Sequence, residues 1–411
     1  MVTTDTSVVH AGVLLADARE APKRQQSLLI EGGRIKSVAS GFIDPPPGAS
    51  VIDLSRQFVL PGLIDCHVHL TGQFGPRFLL QLVEDSDAKI GLNAAHRAAL
   101  TLGAGFTTVR DVGAFGSPDI IFALRDAVAE GKVAGPRILC VGAIISPTGG
   151  HGQLLGLRQD VCACVHSTAG RCDGVDDCRR AVRRQVSYGA DAIKFAATGG
   201  VLSNVKAGLD QQFTRDEIAT IVDTAHALGR PVSAHAHSAA GVNAALEAGV
   251  NSIEHGSFMD DRSIELFLAK GAFHVPTVIA GMSALEMASG SALSPAQAEK
   301  ARIVAAQIQN ALARSYRAGV RIAFGTDMGV GPHGENAREF RYMAAAGMSP
   351  RDCIVAATVN AAELLGISDD AGTLAPGRSA DLIAVDTSPL DDLSQLERVR
   401  LVISRGRVFN A

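Results

Sequence analysis

Two short segments of the chain, His67–His69 and His235–His237, each carry two histidines separated by one apolar residue. Residues two apart in a β-strand project from the same face, so each segment would present two imidazoles side by side. Imidazole is the commonest metal-binding side chain in proteins. The two segments therefore predict a metal centre.

Three further residues, Lys194, His255 and Asp327, lie in or just after apolar runs elsewhere in the chain. A lysine among apolar neighbours is uncommon because desolvating its charge is costly. A lone histidine at a strand end is more often a hydrogen-bonded core residue than a ligand, but the histidines here are not scattered. Of the twelve in the chain, eight fall on predicted strands, near strand ends or in the loops that follow: His67, His69, His151, His235, His237, His255, His274 and His333. Their concentration favours a metal centre over separate core residues.

The elements that would position these residues alternate between short β-branched runs and longer helical patterns from residue 58 to residue 366, which is typical of βα units. Helical periodicity predicts helices that include 215–228, 239–248 and 295–318. The predicted strands are 59–66, 106–111, 137–143, 192–197, 231–236, 251–255, 273–279 and 321–326. Eight such units predict a closed (β/α)8 TIM barrel over 58–366, with catalytic side chains at the carboxyl ends of its strands.

Both ends of the chain differ from the middle, because strand patterns follow one another there with few helical patterns between them. The predicted terminal strands fall within 7–40, 50–58, 381–386 and 399–409. We therefore expect an α/β fold in which residues 1–57 and 367–411 together build a small β-sandwich domain beside the barrel.

The charge and hydropathy of the chain argue against two kinds of partner. The 411 residues carry a net charge of −4, and no basic stripe is present, so a nucleic-acid-binding surface is not expected. No stretch reaches the roughly 18 apolar residues that indicate a membrane-spanning helix. Residues 1–11 also lack an apolar run of signal-peptide length, so the expected location is the cytoplasm.

Four of the seven cysteines cluster between two predicted strands: Cys162, Cys164, Cys172 and Cys178. Their spacing lacks the paired C-x2-C knuckles of structural zinc sites. We interpret them as thiols without a major function, with a zinc site or a disulfide as the alternatives. The other three lie in apolar runs and predict small core residues: Cys66, Cys140 and Cys353.

Several longer motifs resemble a known family. The segments Pro61–His69 and Gly372–Ile383 resemble the opening and closing segments of the amidohydrolase superfamily, in its subtype with two metal ions. Thr148–Gly152, Gly199–Ser203 and His333–Asn336 are similar to a dipeptidase branch of that superfamily. The branch contains prolidase-like enzymes, Xaa-Arg dipeptidases and ochratoxin-type amidohydrolases, and the resemblance covers essentially the whole chain.

The resemblance implies two divalent metal ions, with zinc expected and manganese or cobalt as substitutes. It assigns His67, His69 and Asp327 to the more buried ion, His235 and His255 to the more exposed ion, and Lys194, carboxylated by CO2, to a bridge between them. A lysine whose pKa is lowered by burial and nearby cations can react with CO2 as the free amine.

The implied mechanism is attack on an amide carbonyl by a hydroxide that bridges the two ions. Asp327 would take the proton from the attacking water and deliver it to the leaving amine. His237 would hydrogen-bond the developing oxyanion, with a supporting role in the structure as the alternative. By the same resemblance His151 would help to bind the free carboxylate of the substrate. For His333 and His274, substrate contact and packing stay equally open.

One departure from related peptidases concerns the group that grips the substrate carbonyl. Some of these enzymes use a tyrosine in the loop after the fourth strand. Here the aromatic residue in that loop is Phe213, and the three tyrosines lie in helical patterns: Tyr188, Tyr316 and Tyr342. The grip must then come from metal and histidine, or the substrate class differs.

These inferences predict a metal-dependent hydrolase that cleaves an amide bond and releases a C-terminal amino acid. It would be a dipeptidase (a carboxypeptidase-type activity) or an N-acyl-amino-acid hydrolase, with ochratoxin-type conjugates included. The first alternative is a cyclic amide hydrolase similar to imidazolonepropionase or dihydroorotase, and the second is a non-catalytic scaffold. The expected partner is a small amide or dipeptide, and the branch implies a homo-oligomer, with an octamer as the expected form.

Overall fold

The computed structural model of the chain describes residues 6–153, 158–166, 169–203, 208–290 and 292–409. Those ranges contain fifteen strands: β1 (Thr6–Leu14), β2 (Lys23–Glu31), β3 (Arg34–Ser40), β4 (Ser50–Pro61), β5 (Leu63–Val68), β6 (Phe106–Asp111), β7 (Arg137–Cys140), β8 (Ile193–Ala196), β9 (Val232–Ser238), β10 (Ser252–Phe258), β11 (Phe273–Val275), β12 (Arg321–Ile322), β13 (Leu382–Val385), β14 (Leu401–Ser404) and β15 (Arg407–Phe409).

The same ranges contain thirteen α-helices: α1 (Phe78–Glu84), α2 (Asp87–Gly103), α3 (Asp119–Ala129), α4 (Gln159–Cys164), α5 (Val175–Ser187), α6 (Arg215–Ala227), α7 (Ala239–Ala248), α8 (Asp261–Lys270), α9 (Val278–Ala288), α10 (Pro295–Arg317), α11 (Glu339–Ala345), α12 (Pro350–Val355) and α13 (Ala361–Leu364). A π-helical turn over Ala356–Asn360 joins α12 to α13, and 3-10 turns cover Asn336–Arg338 and Leu393–Glu397. Among the described residues, no helix is both long enough and apolar enough to span a bilayer.

Strands from both ends of the chain form one mixed sheet in the order β15-β14-β13-β4-β1-β2-β3. β1 and β4 are parallel, and the other neighbours are antiparallel. Ile35 of the edge strand β3 exchanges backbone hydrogen bonds with Gly377 and Arg378, so the sheet curls toward the segment that leads into β13. It encloses its own apolar core: Val9, Ala11, Leu14, Leu28, Ile30, Ile35, Leu54, Val59, Leu374, Ala380, Leu382, Ala384 and Ile403. The described strands from both ends of the chain thus share one seven-stranded sheet.

The middle of the chain supplies two parallel sheets, β5-β6-β7 and β8 to β12 in sequential order. Backbone hydrogen bonds join them at both edges. Ile145 N donates to Lys194 O at 2.9 Å on one side, and Asp327 N donates to His67 O at 2.7 Å on the other. The main apolar core includes side chains from these strands and from the helices that follow them, such as Val109, Ile138, Val222 and Leu246.

The helices that were predicted from periodicity occur as α6, α7 and α10, with ends within one residue of the expected positions. α10 opens with Ser294 as its N-cap and Pro295 in its first turn, both favourable there. α7 begins after the N-cap Ser238 and ends at Gly249, whose φ of +95° suits glycine. Local capping chemistry thus explains where these helices begin and end.

Strands occur at all eight expected positions, but the predicted strand 59–66 has wrong bounds. Val59–Pro61 is the end of β4 in the mixed sheet, and β5 begins only at Leu63. Gly62 separates the two strands, and a Cβ there would lie 2.2 Å from Oγ1 of Thr107. The chain therefore passes from one sheet to the other at a position that only glycine fits.

The predicted strand 273–279 also has a wrong end. β11 stops at Val275, because Pro276 has no N–H to continue the ladder and α9 begins at Val278. Three other strands are shorter than expected, since 137–143 is Arg137–Cys140, 192–197 is Ile193–Ala196 and 321–326 is Arg321–Ile322.

Candidate metal centre and active-site cavity

His67, His69 and Asp327 meet at the carboxyl end of the parallel strands. His67 lies in β5, His69 follows it, and Asp327 follows β12 in a left-handed backbone conformation with φ of +58°. Nε2 of His67 and Nε2 of His69 lie 3.4 and 3.2 Å from Oδ1 of Asp327. All three side chains are buried, and their ligand atoms lie within 4.8 Å of one another. Two imidazoles and a carboxylate at this spacing suit zinc or a similar divalent ion.

The other ring nitrogen of each histidine faces a protein acceptor. Nδ1 of His67 lies 2.7 Å from Oε2 of Glu254, and Nδ1 of His69 lies 2.7 Å from the carbonyl oxygen of Gly113. When Nδ1–H donates to these acceptors, the lone pair of Nε2 faces Asp327. Histidines that bind metal ions are usually oriented by such an acceptor. The residues around this group therefore fit a divalent ion.

Glu254 is held in turn by a buried arginine. Nη2 of Arg110 donates to Oε1 of Glu254 at 2.8 Å, and its Nε donates to the carbonyl oxygen of Cys66 at 2.7 Å. Burial would raise the pKa of Glu254, but the charges of Arg110 and Lys194 outweigh it and lower that pKa far below its usual range. Neither residue was predicted to be functional. The signal in the sequence was a charged residue inside an apolar strand, and Glu254 directly precedes His255.

Asp65 joins the two strand ends that carry these ligands. Its Oδ1 accepts hydrogen bonds from the backbone N–H groups of His67 at 3.0 Å and Thr326 at 3.1 Å. Its Oδ2 accepts from the Thr326 hydroxyl at 2.6 Å and from the Asn336 amide at 2.8 Å. Burial raises the pKa of Asp65 to about 6, although these donors oppose the shift. Asp65 thus holds His67 against the strand end that precedes Asp327, a role that sequence analysis missed.

His235 and His255 lie beside the group formed by His67, His69 and Asp327. The ring centroid of His255 is 4.6 Å from that of His235 and 5.1 Å from that of His67. Nδ1 of His255 lies 2.7 Å from the Thr277 hydroxyl, and Nε2 of His235 lies 3.2 Å from the carbonyl oxygen of Gly199. Each imidazole therefore has one nitrogen oriented by a protein oxygen.

Lys194 lies in β8 with 2% of its surface exposed. Burial lowers the pKa of Lys194 to about 8, although the carboxylate of Glu254 opposes the shift. An appreciable fraction of the amine is then uncharged near neutral pH, which is the form that reacts with CO2. All six residues that were predicted as metal ligands line the same cavity: His67, His69, Lys194, His235, His255 and Asp327.

Two more of the predicted site histidines also line this cavity. His237 has Nδ1 2.9 Å from the Ser257 hydroxyl, and its ring is stacked on that of His255 at 5.0 Å. His151 follows β7, with Nδ1 2.7 Å from the Ser203 hydroxyl. Burial lowers the pKa of His151 and that of His237 to about 3, so both imidazoles are neutral.

His333 and His274 do not belong to the described lining of the cavity. Nε2 of His333 lies 3.2 Å from the carbonyl oxygen of Gly72, and burial lowers the pKa of His333 to about 4. Nδ1 of His274 lies 2.8 Å from the Ser315 hydroxyl, and its Nε2 lies 3.0 Å from the carbonyl oxygen of His255. For His333 these contacts favour the packing alternative, and His274 holds the backbone carbonyl of His255.

The cavity has a volume of about 250 Å³ and a largely apolar lining. One wall consists of Phe74, Phe78 and Phe115, whose ring centroids are 4.1 to 5.4 Å apart. Phe115 also lies 5.5 Å from the ring of His69. A second part of the lining comes from α9 and α10: Ala280, Gly281, Ala284, Val304 and Ile308. Apolar groups can therefore be accommodated close to the metal ligands.

Aromatic residues with a hydroxyl are absent from the described lining of this cavity. Tyr316 instead donates its hydroxyl to Asp352 at 2.7 Å. Phe213, in the loop after β8, is buried against Phe195 with ring centroids 6.3 Å apart. The expected absence of a tyrosine grip on the substrate carbonyl is thus consistent with the geometry.

The clustered cysteines lie on either side, in sequence, of Val165, His166, Ala169 and Gly170, which line the cavity. Cys172 and Cys178 are buried with their Sγ atoms 3.5 Å apart, and Cys162 and Cys164 lie in α4. No disulfide joins cysteines in the part of the chain that the structure describes. Within that part, the group of His67, His69 and Asp327 is the only close cluster of potential ligand residues. The three cysteines predicted in the core are buried: Cys66, Cys140 and Cys353.

Comparison with known proteins gives consistent matches over nearly the whole chain. The model of the amidohydrolase family matches residues 58–409. The ochratoxinase of Aspergillus niger is 31% identical over 417 aligned positions, which cover 96% of this chain and 84% of that protein. The crystal structure of a Xaa-Pro dipeptidase with bound methionine in the active site has a TM-score of 0.92 at 38% identity and covers 99% of this chain and 100% of its own. The crystal structure of A. niger ochratoxinase has a TM-score of 0.84 at 29% identity and covers 99% of this chain and 96% of its own.

Proposed function

Because the chain belongs to the amidohydrolase family and is a hydrolase of amide (C–N) bonds, we propose that it releases the C-terminal amino acid from a dipeptide or an N-acyl amino acid. Aromatic conjugates of the ochratoxin type fall within this class. The observation that carries the proposal is the group of His67, His69 and Asp327 in a largely apolar cavity that also contains His151 and His237.

The proposed architecture has two parts. Residues 58–366 would form a closed (β/α)8 catalytic barrel, and residues 1–57 with 367–411 would form the terminal β domain. The backbone bonds at both edges of the two parallel sheets support closure of the barrel. The separate apolar core of the curled sheet supports a second domain, although β4 extends past residue 57 to Pro61.

Two divalent ions, expected to be zinc, complete the proposed site. His67, His69 and Asp327 would hold one ion, His235 and His255 the other, and Lys194, carboxylated by CO2, would bridge them. When bound, the ions supply Lewis acidity that activates water and polarises the substrate carbonyl. The Nδ1 contacts of His67 and His69 and the lowered pKa of Lys194 support this ligand set.

The residues of the chain would then divide the reaction between them. The water oxygen attacks the carbonyl carbon, and Asp327 takes the water proton and passes it to the amine nitrogen as the C–N bond breaks. With the Ser257 hydroxyl donating to Nδ1 of His237, Nε2–H of His237 is free to stabilise the carbonyl oxygen as it gains charge. Ser203 can hold His151 in the same way, so that Nε2–H of His151 donates to the free carboxylate of the substrate.

Two relatives support this class of substrate. One is named for the hydrolysis of an ochratoxin, and the other, a Xaa-Pro dipeptidase, holds methionine in its active site. The aromatic wall of Phe74, Phe78 and Phe115 supports an apolar or aromatic group on one side of the scissile bond.

The test is a substrate panel with the full-length, zinc-loaded protein. Dipeptides, N-acyl amino acids and ochratoxin A are compared with a hydantoin and an imidazolone, and the products, released amino acid or ring-opened acid, are measured by mass spectrometry. We expect turnover of compounds with a free C-terminal carboxylate and an apolar acyl group. Turnover confined to the cyclic amides would contradict the proposal and favour the cyclic amide hydrolase.

The assembly and location are proposed by analogy. We expect a homo-oligomer, with an octamer as the form to test by light scattering after size-exclusion chromatography. The cytoplasmic location stays a prediction.

A further inference from the structure

His151 rests against the loop that follows β8. Its Nδ1 lies 2.7 Å from the hydroxyl of Ser203. A Cβ at Gly200 would lie between 2.1 and 2.5 Å from three atoms of the His151 ring, so the ring packs directly on the backbone of that glycine. The position of the imidazole is therefore set by the position of residues 199–203.

Helix α10 holds this loop through two side chains on one face of its first turns. Nζ of Lys300 donates to the carbonyl oxygen of Gly200 at 2.9 Å and to that of Ser203 at 2.7 Å. Nε2 of Gln297 donates to the carbonyl oxygen of Leu202 at 2.6 Å. Three carbonyl groups of four consecutive residues are thus fixed to one helix.

Burying the ammonium group of Lys300 carries a desolvation penalty that an apolar side chain would not have. Lys300 is 8% exposed, and burial lowers the pKa of its ammonium group. Desolvating a cation is unfavourable unless it gains strong partners, and charge-assisted hydrogen bonds to carbonyl oxygens are such partners. An apolar side chain would fill this space without that cost, but it could not fix the direction of two carbonyl groups.

Both α10 and His151 also border the cavity. α10 contributes Val304 and Ile308 to its lining, and the ring of His151 lies 4.0 Å from that of His235. The carbonyl oxygen of Ser203 accepts a hydrogen bond from Lys300, and the hydroxyl of Ser203 contacts His151. A single residue therefore links the ammonium group to the imidazole.

We propose that Lys300, assisted by Gln297, is a positioning residue that sets His151 through Ser203 and thereby sets the affinity for the carboxylate end of the substrate. This inference rests on the proposed function for the identity of the group that His151 binds. The positioning itself rests only on the contacts of Lys300, Gln297 and Ser203.

The first experiment measures the kinetics of the zinc-loaded Lys300→Met variant with two substrates. One is an N-acyl amino acid that the wild type hydrolyses, and the other is the same compound with a C-terminal amide in place of the carboxylate. Because the lost interaction acts equally on bound substrate and transition state, KM for the free acid should rise ~10-fold while kcat changes less than ~3-fold. KM for the amide should change little. The matched control is Lys270→Met, because exposed Lys270 also donates to a backbone carbonyl, that of Glu247 at 3.4 Å. An unchanged KM for the free acid would contradict the proposal.

A double-variant cycle tests whether Lys300 acts through His151. His151→Ala alone should raise KM for the free acid, and adding Lys300→Met should raise it by less than ~2-fold more, because coupled residues are not additive. Ser203→Ala, which removes only the connecting hydroxyl, should give a smaller rise in KM and does not depend on the tolerance of position 300. Fully additive losses would show that Lys300 does not act through His151.

A measurement without substrate separates this inference from the proposed function. Amide hydrogen exchange is followed at His151, whose N–H donates to Gln212 at 3.0 Å, and in β8 as an internal reference. Lys300→Met should speed exchange at His151 and leave β8 unchanged. If the wild type releases no amino acid from the panel, the proposed function fails, and this exchange result still decides the positioning role. Equal exchange rates at His151 in the wild type and the variant would contradict the positioning role of Lys300.

Discussion

Asp327 is the residue proposed to carry the proton, and its Oδ1 lies 3.4 and 3.2 Å from Nε2 of His67 and Nε2 of His69. Burial would raise the pKa of Asp327, but the imidazoles of His67 and His69 outweigh it and lower that pKa well below its usual range. Asp327→Asn keeps the size of the side chain and removes both the negative charge and the proton acceptor. We expect kcat to fall by ~10³-fold or more. Circular dichroism should show a folded protein, and near-normal turnover would contradict the assigned role.

Lys194→Ala tests the proposed carbamate bridge between the ions. The substitution removes the amine that would react with CO2, so we expect bound zinc to fall from about two ions per chain and turnover to fall by several orders of magnitude, as for other metal-site ligands. Bound metal is measured by mass spectrometry, and 13C-labelled CO2 should give a carbamate signal only in the wild type. Added acetate should restore part of the activity, since a free carboxylate can occupy the vacated space. Full activity without added acetate would exclude the bridge.

Glu254→Gln tests the orientation of His67. The amide oxygen can still accept from Nδ1 of His67, but the charge that faces Arg110 is lost. We expect metal affinity to fall ~10- to 100-fold, as for other partners of metal-bound histidines, measured by competition with a chelator. Glu247→Gln on the surface makes the same chemical change away from the site and serves as the control. Equal affinities of the two variants would contradict the assignment.

Single residues were predictable where strand alternation and position decide their role. His67, His69 and Lys194 lie on or beside short apolar strands, so their meeting at one end follows from the order of the strands. Glu254 could not be paired with His67 in the same way, because the contact joins residues 187 positions apart and depends on which side chains face each other across the structure. For His333 the sequence leaves substrate contact and packing equally open for the same reason.

At the scale of elements, Glu339 caps α9 beside the cavity. Its Oε1 and Oε2 accept hydrogen bonds from the backbone N–H groups of Val278 and Ile279 at 2.9 and 2.7 Å. These donors are among those that a helix leaves unsatisfied at its N-terminus. Burial nevertheless raises the pKa of Glu339 to about 8, and the nearby charge of Asp65 adds to the shift.

This shift predicts a pH dependence of stability. Between the ordinary carboxyl pKa and about 8, the folded protein holds a proton at Glu339 that the unfolded chain has lost. The free energy of unfolding should therefore decrease as the pH rises through this range. Urea unfolding at pH 6 and pH 9 should show a smaller decrease for Glu339→Gln than for the wild type, both loaded with zinc. An equal decrease in the two proteins would contradict the shift.

The element types were predictable from periodicity, but several bounds depend on contacts that periodicity does not contain. The predicted strand 59–66 joins two runs of apolar residues that belong to different sheets. The break falls at Gly62, where the side chain of Thr107 leaves no room for a Cβ. The end of β11 could have been found locally, since Pro276 cannot continue a ladder.

At the scale of the whole molecule, Arg137 links the parallel strands to the terminal sheet. It lies at the start of β7, forms a close ion pair with Asp370, and donates from Nη2 to Oδ2 of Asp381 at 3.3 Å. Asp370 also accepts from Arg34 at 2.7 Å. Three parts of the chain that are distant in sequence therefore meet at this point.

Arg137→Met should weaken this connection. We expect a loss of about 1–3 kcal/mol in the free energy of unfolding, because two carboxylates lose a charged donor in a partly buried place. The measurement is urea denaturation monitored by circular dichroism, with Arg183→Met on the exposed face of α5 as the control. Equal stability of the two variants would show that the link contributes nothing.

The walls of the cavity come from stretches of chain that are separate from the strands carrying the ligands. Phe74 and Phe78 lie in one short segment, and α9 and α10 supply a second part of the apolar lining. An engineer could therefore diversify Phe74, Phe78 and the lining residues of α9 as independent cassettes while leaving the ligand-bearing strands, and Gln297 and Lys300 of α10, unchanged. Such a library would test whether new toxins or peptides can be brought into reach by exchanging walls alone.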